Sequence, residues 1–386
     1  MKNRKIVKTF IVSSFILTAL FFSIVLFYDP LRLFHKPWVY KEYLQPNMRE
    51  QAAGIINNWK FDSIIIGTSI IENTSSKEAS EKLGGCFVNL SLAGSSFYER
   101  AIVLDYAFRK KRIKKVIFSL DSGGLFGVEK GGEGVYALSN WDYLYDDNSW
   151  NDFKAYMNNK YSECLLLPRS KRRCMGWKVD FDRPNAWYQY KVHSVKFGGL
   201  DYWFKDRDDI QTKNAFSKIL KTIKAIKLGE TRIDPSLEAN IVKSRAYLDE
   251  TLLRFVSKYP DTEFTLILPP YSRINNAMIA QYHISAYERW KASVKYLVSK
   301  SSEFKNLKIY GWGNEAFVDD IANYKDLFHY SHTIDSWMLS AIQRDKGRLT
   351  VANIDKYLAL FTKKSLDYNL FRVGDKIDKY LHPEKK

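Results

Sequence analysis

Cysteine is scarce in this chain. Among 386 residues there are three, Cys86, Cys164 and Cys174, and no two stand in a CxxC spacing, which excludes the common structural zinc modules. In an exported chain Cys164 and Cys174 could close a short disulfide loop, while Cys86, in a strand-like run, reads as a small buried apolar residue. Internal repeats and low-complexity linkers are absent. Acidic residues are outnumbered: 43 Asp and Glu face 60 Lys and Arg, a formal net charge of +17. Runs such as Arg109-Lys110-Lys111-Arg112, Lys114-Lys115 and Lys171-Arg172-Arg173 favour anionic partners, although a basic run is also an ordinary solvated surface. What the chain does have is apolar content, 46% hydrophobic residues, enough for a sizeable core and too much for global disorder.

One apolar run stands apart. Thr9 to Tyr28 reads TFIVSSFILTALFFSIVLFY, without a charge. About 20 helical residues span the hydrocarbon core of a bilayer. Lys2, Arg4, Lys5 and Lys8 precede the run, so the positive-inside rule keeps the N-terminus in the cytoplasm and exports the rest. The bulky Phe27-Tyr28-Asp29-Pro30 that follows offers no small-x-small cleavage site. The expectation is an uncleaved signal anchor over 1–30, with a cleaved signal peptide as the rival. Either way nucleic acid is not an expected partner. An aromatic juxtamembrane segment over 31–58 follows, with Phe34, Trp38, Tyr40 and Tyr43 suited to the membrane interface or to packing on a domain.

From Phe61 the pattern alternates. Apolar runs at Ser63–Ile66, Cys86–Leu92 and Lys115–Leu120 read as strands, with helices at Ser75–Leu83 and after the capping box Ser96 to Glu99. Strand–helix–strand alternation with short connections predicts an α/β domain over 59–345 with a five-stranded, mostly parallel sheet. Leu125 to Pro235 interrupts it as an insertion, expected to be helix and loop, carrying Trp141, Trp150, Trp177, Trp187 and Trp203 as core or as a sugar-binding surface. Helices are expected at DDNSWNDFKAYMNNKY and FSKILKTIKAIKL. The alternation returns with a helix at Leu237–Ser257, a strand at Glu263–Leu268, a helix at Ala277–Ser299 and a strand at Leu307–Tyr310. A basic helical tail occupies 346–386.

Ligands of open α/β sheets gather beyond the carboxyl ends of the strands. Five groups fall there: Ser69, Gly94, Asp121, the run Pro270-Tyr271-Ser272, and a cluster of Asp326, His329 and His332. Serine needs a base to become a nucleophile, histidine titrates near neutral pH, and a carboxylate fixes the imidazole tautomer. Ser69, His329 and Asp326 are therefore the expected nucleophile, base and orienter. Gly67 is expected to permit the sharp turn that exposes Ser69, and Gly94 to permit close backbone approach. Backbone N–H groups near Ile70 and Gly94 are the expected oxyanion donors, with Asp121, Tyr271 and His332 lining the site. His332 is the rival base; as a metal pair with His329 it lacks a third ligand, and no metal or organic cofactor is implied.

These residues resemble the motif blocks of the SGNH (GDSL-type) hydrolases. Gly67-Thr68-Ser69 resembles the first block, with threonine in place of the usual aspartate. Asn89 to Ser96, NLSLAGSS, resembles the second, and Asp326-Leu327-Phe328-His329 the final Asp-x-x-His. Membrane-anchored members that acylate cell envelopes, such as the D-alanyl transfer protein of teichoic acid synthesis and the alginate O-acetylation proteins, resemble this chain most over about 58–125 and 262–340. The resemblance implies a flavodoxin-like three-layer fold, a bacterial inner-membrane location with one span and an extracytoplasmic domain, and acyl transfer, with acetyl the expected group, to an envelope polysaccharide or lipid-linked glycan; the positive charge of the chain suits an anionic one. It also implies a multi-spanning membrane O-acyltransferase partner. One departure stands: the family's Gly-x-Asn-Asp block is here Ser119-Leu120-Asp121-Ser122, without the asparagine that donates to the oxyanion. An esterase on the same substrates and a non-catalytic glycan-binding or assembly protein are the alternatives.

Overall fold

The computed structural model describes residues 2–38, 43–121, 125, 137–158, 161, 176–178, 181–205 and 208–383. Cys164, Cys174, the basic run 171–173, Tyr40 and Ser122 lie outside the described residues. Two compact units divide the chain: Met1–Lys60 with Ile102–Arg112 and Gly132–Asp180, and Phe61–Ala101 with Ile113–Gly131 and Phe181–Lys386. The insertion expected over 125–235 is shared between them, and the basic tail belongs to the second.

The first unit begins with helix α1, Lys2–Tyr28. It is long and apolar enough to cross a membrane, and Phe10, Phe15 and Leu17 on it are each more than 60% exposed. At its end Asp29 takes a positive φ of 32°. Its carboxylate accepts the backbone N–H groups of Leu33, Phe34 and His35 at 2.9 to 3.0 Å, and the Tyr156 hydroxyl donates to it as well. Phe34 stacks on Phe153, and Phe22 of α1 meets the same ring edge-on. Helix α2, Met48–Asn58, is capped by Asn47 and almost wholly buried. A two-residue ribbon joins Tyr43–Leu44 to Trp177–Lys178. The helix expected in DDNSWNDFKAYMNNKY is reduced to a 3-10 turn at Asn151–Tyr156. Asp146 explains part of this: it accepts from Asn148 N and the Asn151 side chain, holding a turn where a helix would start.

The second unit is built on a six-stranded sheet. Its strands are β1 (Ser63–Ile66), β2 (Phe87–Asn89), β3 (Lys115–Ser119), β4 (Glu263–Leu268), β5 (Leu307–Gly311) and β6 (Arg348–Leu349). Their order is β2-β1-β3-β4-β5-β6, parallel except for β6. Five strands were expected; the sixth is too short to leave a pattern in sequence. Isoleucines 64 to 66 are fully buried, as a strand covered on both faces requires. Alternate residues feed two layers. Ile65, Ile117, Ile267 and Tyr310 join a cluster with residues of α3 (Ser76–Leu83), α5 (Ile210–Lys227), α7 (Arg273–Gln281), α9 (His332–Gln343) and α11 (Leu370–Leu381). On the opposite face Phe118 meets Phe97 at the start of α4 (Phe97–Lys110), and Phe97 stacks on Tyr247 of α6 (Leu237–Leu248). Helices α8 (Ile284–Glu303) and α10 (Ile354–Leu366) complete the unit.

Local chemistry explains the boundaries. Ser75 caps α3 by accepting from Glu78 N, and Gly84 ends it at φ 71°. The Ser96–Glu99 capping box forms in both directions: Ser96 N donates to the Glu99 carboxylate, and Glu99 N donates to the Ser96 hydroxyl. The single helix expected at Ala277–Ser299 is two. Ser272 caps α7 earlier than the apolar spacing suggests, and Tyr282 diverts its carbonyl to Arg232 N at 2.7 Å, breaking the run before α8. Cys86 is exposed, in the connection between α3 and β2, which corrects the expectation of burial. Of the insertion tryptophans, Trp141, Trp187 and Trp203 are core, whereas Trp150 is 83% exposed.

Candidate active site

β1 and β3 are neighbours whose onward connections run to opposite sides of the sheet, β1 to β2 and β3 to β4. Such a switch point leaves a crevice at the strands' carboxyl ends. Ser69 follows β1 there and Asp121 follows β3.

The two glycines exchange the reasons expected of them. At Gly67 an added Cβ would lie 2.6 Å from the Ile71 side chain and 2.7 Å from Ser119 Cβ, so close packing requires glycine, and no left-handed backbone is involved. Gly94 has open space around it but a φ of 63°, so conformation requires glycine there. The loop carrying Gly94 is tied to the Ser69 turn, because the Gly67 carbonyl accepts from Leu92 N at 2.9 Å and the Ser95 hydroxyl at 3.3 Å.

Ser69 Oγ lies 2.9 Å from His329 Nε2, across 260 residues of sequence. His329 Nδ1 lies 2.8 Å from Asp326 Oδ2 and 3.0 Å from Oδ1. The Asp326 carboxylate also accepts the N–H groups of Phe328 and His329 at 2.9 Å, which locks the loop that carries the imidazole. Burial pushes the Asp326 carboxyl up, but the facing His329 and the Lys325 ammonium 3.6 Å away outweigh it and hold it well below the usual carboxylate range. Asp326 is thus an anion, able to keep a proton on Nδ1 and leave Nε2 free to take one from Ser69.

The other expected residues sort themselves around this line. His332 stacks on Tyr188 at 4.2 Å as the first residue of α9, and the hydroxyl of Ser69 faces His329 instead. With both His329 nitrogens engaged, the two histidines do not present a joint metal pair. The Ile70 N–H donates to Thr68 Oγ1 at 3.3 Å, so it is occupied. The Ser69 and Gly94 N–H groups carry no intramolecular partner among the described residues and are the open donors. Tyr271 sits in the core, edge-on to Phe328.

Asp121 does not face the crevice as a bare charge. Arg100, fully buried, donates to Asp121 Oδ2 at 2.6 Å, to the Ser119 carbonyl at 2.6 Å and to the Ser95 hydroxyl at 2.9 Å. Asp121 Oδ1 accepts the Thr68 hydroxyl at 3.1 Å. One guanidinium therefore links the loops after β2 and β3, and Asp121 passes that fixation to Thr68, the residue before Ser69. The Arg100 guanidinium thus balances the Asp121 charge beside the crevice.

Sequence reasoning missed three residues. Trp187 donates from Nε1 to the Ser69 carbonyl at 2.7 Å and sets its ring edge-on to His329, 5.4 Å between centroids. Lys325, 3% exposed in its side chain, hangs over the Trp187 ring at 4.5 Å and binds Gln211. Arg100 reads in sequence as one more helix cation beside Glu99. Nearby, burial and the Lys325 and Lys196 ammoniums push the His193 imidazole down to about 4, keeping it neutral at neutral pH.

No family model matches the chain, and no curated protein matches it.

Proposed function

We propose that this chain is a membrane-anchored serine acyltransferase of the SGNH type, transferring an acyl group, most simply acetyl, to a hydroxyl of a cell-envelope glycan. The observation that carries the reading is the unbroken line Asp326–His329–Ser69, with links of 2.8 and 2.9 Å, at the switch point of the sheet. The strand order β2-β1-β3-β4-β5 supports a flavodoxin-like arrangement. Helix α1 supports a single span, and the basic residues ahead of it support a cytoplasmic N-terminus with the remainder outside.

In the first half of the reaction Ser69 Oγ attacks the acyl carbonyl carbon while His329 Nε2 takes the hydroxyl proton. The new C–O bond creates a tetrahedral oxyanion that the Ser69 and Gly94 N–H groups are free to receive; one such donor contributes about 3 kcal/mol. The donor's leaving group departs with the proton from His329. In the second half a sugar hydroxyl gives its proton to His329 and attacks the acyl-serine, and Ser69 recovers its proton as the ester forms on the sugar. The missing asparagine costs the site one side-chain donor, and the Arg100–Asp121 pair keeps the two backbone donors in register. A multi-spanning membrane acyltransferase is the kind of partner that would supply acyl groups from across the membrane.

The test is intact-mass analysis of the detergent-solubilised chain after exposure to an activated acetyl ester, beside Ser69→Ala. An acetyl adduct on Ser69, absent from the variant and discharged onto an added oligosaccharide, is the expected result. Discharge onto water alone would make the protein an esterase. No adduct on Ser69 would overturn the catalytic reading.

A further inference from the structure

Beside the Asp326–His329 loop lies a groove of about 460 Å³ that the reaction scheme does not use. Leu327 and Phe328 form part of its wall, so it begins one peptide, about 3.8 Å between Cα atoms, from the imidazole residue. Three cations line it: Lys218 and Lys221, exposed and one turn apart on α5, and Arg232. No acidic side chain lines it. Neither lysine has an ion-pair partner among the described residues; Lys218 only hangs over the Phe328 ring, at 5.6 Å. Arg232 lies over the Tyr282 ring and donates from Nε to the Tyr282 hydroxyl at 3.3 Å.

A second observation points to a ligand. Asn275, 4% exposed and lining the groove, has an amide nitrogen with no hydrogen-bond partner. A buried donor left open costs free energy unless something fills it. Around it the Ser272 cap and the Asn276 amide are satisfied by the backbone, so the vacancy is confined to Asn275.

We propose that this groove binds an anionic sugar residue of the acceptor chain, its carboxylate or equivalent acid held between Lys218, Lys221 and Arg232 and a ring oxygen or hydroxyl taken by Asn275. The inference rests on the glycan-acylation reading and adds to it the class of acceptor. Flexible lysines suit a charge whose exact position varies along a polymer, and the aromatic rings of Phe328 and Tyr282 offer apolar edges to a pyranose. With the groove one residue from His329, a chain seated there brings a neighbouring unit toward Ser69. An acidic lipid headgroup would meet the same cations, but it has no need of the buried Asn275 donor.

The experiment measures binding calorimetrically with the full chain in detergent, carrying Ser69→Ala so that no turnover intervenes. Probes are an oligogalacturonate hexamer, a neutral maltohexaose and vesicles of phosphatidylglycerol. The expected result is oligogalacturonate binding that is absent with maltohexaose, weakens with salt, and falls about tenfold in Lys218→Gln/Lys221→Gln. These two side chains are exposed, so the variant should fold; its melting temperature checks this. Equal binding of both saccharides, or a double variant that binds as before, would overturn the proposal. So would a double variant that loses only vesicle binding, which would assign the groove to lipid. Because Ser69 acetylation is read separately, failure here leaves the catalytic reading standing, whereas loss of the Ser69 adduct would leave this groove a saccharide-binding site with no acceptor role.

Discussion

Arg100 and Asp121 form an ion pair 2.6 Å long with both side chains withdrawn from water, 0% and 7% exposed. Pairs of this kind hold geometry more than they add stability, because desolvation offsets most of the attraction. Arg100→Met should destabilise the protein by about 3–5 kcal/mol by stranding the Asp121 charge. Arg100→Met/Asp121→Leu should recover much of that stability while remaining slow in acetylating Ser69, since Thr68 loses its anchor. Melting curves with single-turnover labelling of the single and double variants separate the two effects.

The two glycines should fail differently. Gly67→Ala forces a Cβ into Ile71 and Ser119 and should cost about 1–3 kcal/mol as overpacking, with loss of labelling because the Ser69 turn moves. Gly94→Ala meets no atoms and pays only for its positive φ, about 1–2 kcal/mol, and Gly94→Asn should cost less still. Chemical denaturation of the three variants gives the ranking.

Removing His329 should lower the rate of Ser69 acetylation on the order of 10⁴-fold or more, as in other serine–histidine pairs. His332→Ala should leave most of that rate, because His332 packs on Tyr188 and does not face Ser69. Comparable losses in both variants would reject the assignment of the base. Burst kinetics with an activated ester measure both.

Trp187→Phe keeps the wall beside His329 and deletes only the Nε1 donor to the Ser69 carbonyl. It should cost about 1 kcal/mol of stability and slow acetylation, with the Ser69 adduct still forming. Trp187→Ala, which also opens the site to water, should shift discharge of the acyl group from sugar to water. The ratio of transferred to hydrolysed acetyl reads this directly.

Asp335, fully buried in the first turn of α9, gives a pH signature independent of catalysis. Burial pushes its carboxyl up to about 8, against the hydrogen bond from Thr74. Between its ordinary value of 3.8 and about 8 the folded chain keeps a proton that the unfolded chain has released. Stability from this group is therefore greatest at low pH and declines as pH rises through that window. Asp335→Asn should flatten the decline, visible in melting temperatures taken from about pH 5 to about pH 8.

What was legible in the sequence was what repeats or what sits at a fixed spacing. The buried isoleucines of β1, the Ser96–Glu99 box and the Asp-x-x-His spacing each declare themselves locally, and together they locate Ser69, His329 and Asp326 at one edge. Trp187 could not be read this way: it reaches Ser69 across 118 residues, from a segment without periodicity. Arg100 looks like a surface cation until its helix is docked, and only then does its guanidinium point inward to the loops after β2 and β3. The glycines were found but misassigned, because sequence shows that a side chain is missing without showing whether space or backbone angle forbids it. β6 has two residues and no pattern to offer.

The junction at Asp29 has a mechanical consequence. Three backbone N–H groups and a tyrosine hydroxyl converge on one carboxylate directly after α1, so no slack chain separates the helix from the rest of the first unit. If α1 lies in a bilayer, that unit cannot wander like a balloon on a string. Its height and tilt follow those of the helix, and lengthening or kinking α1 would re-aim it instead of merely extending its leash.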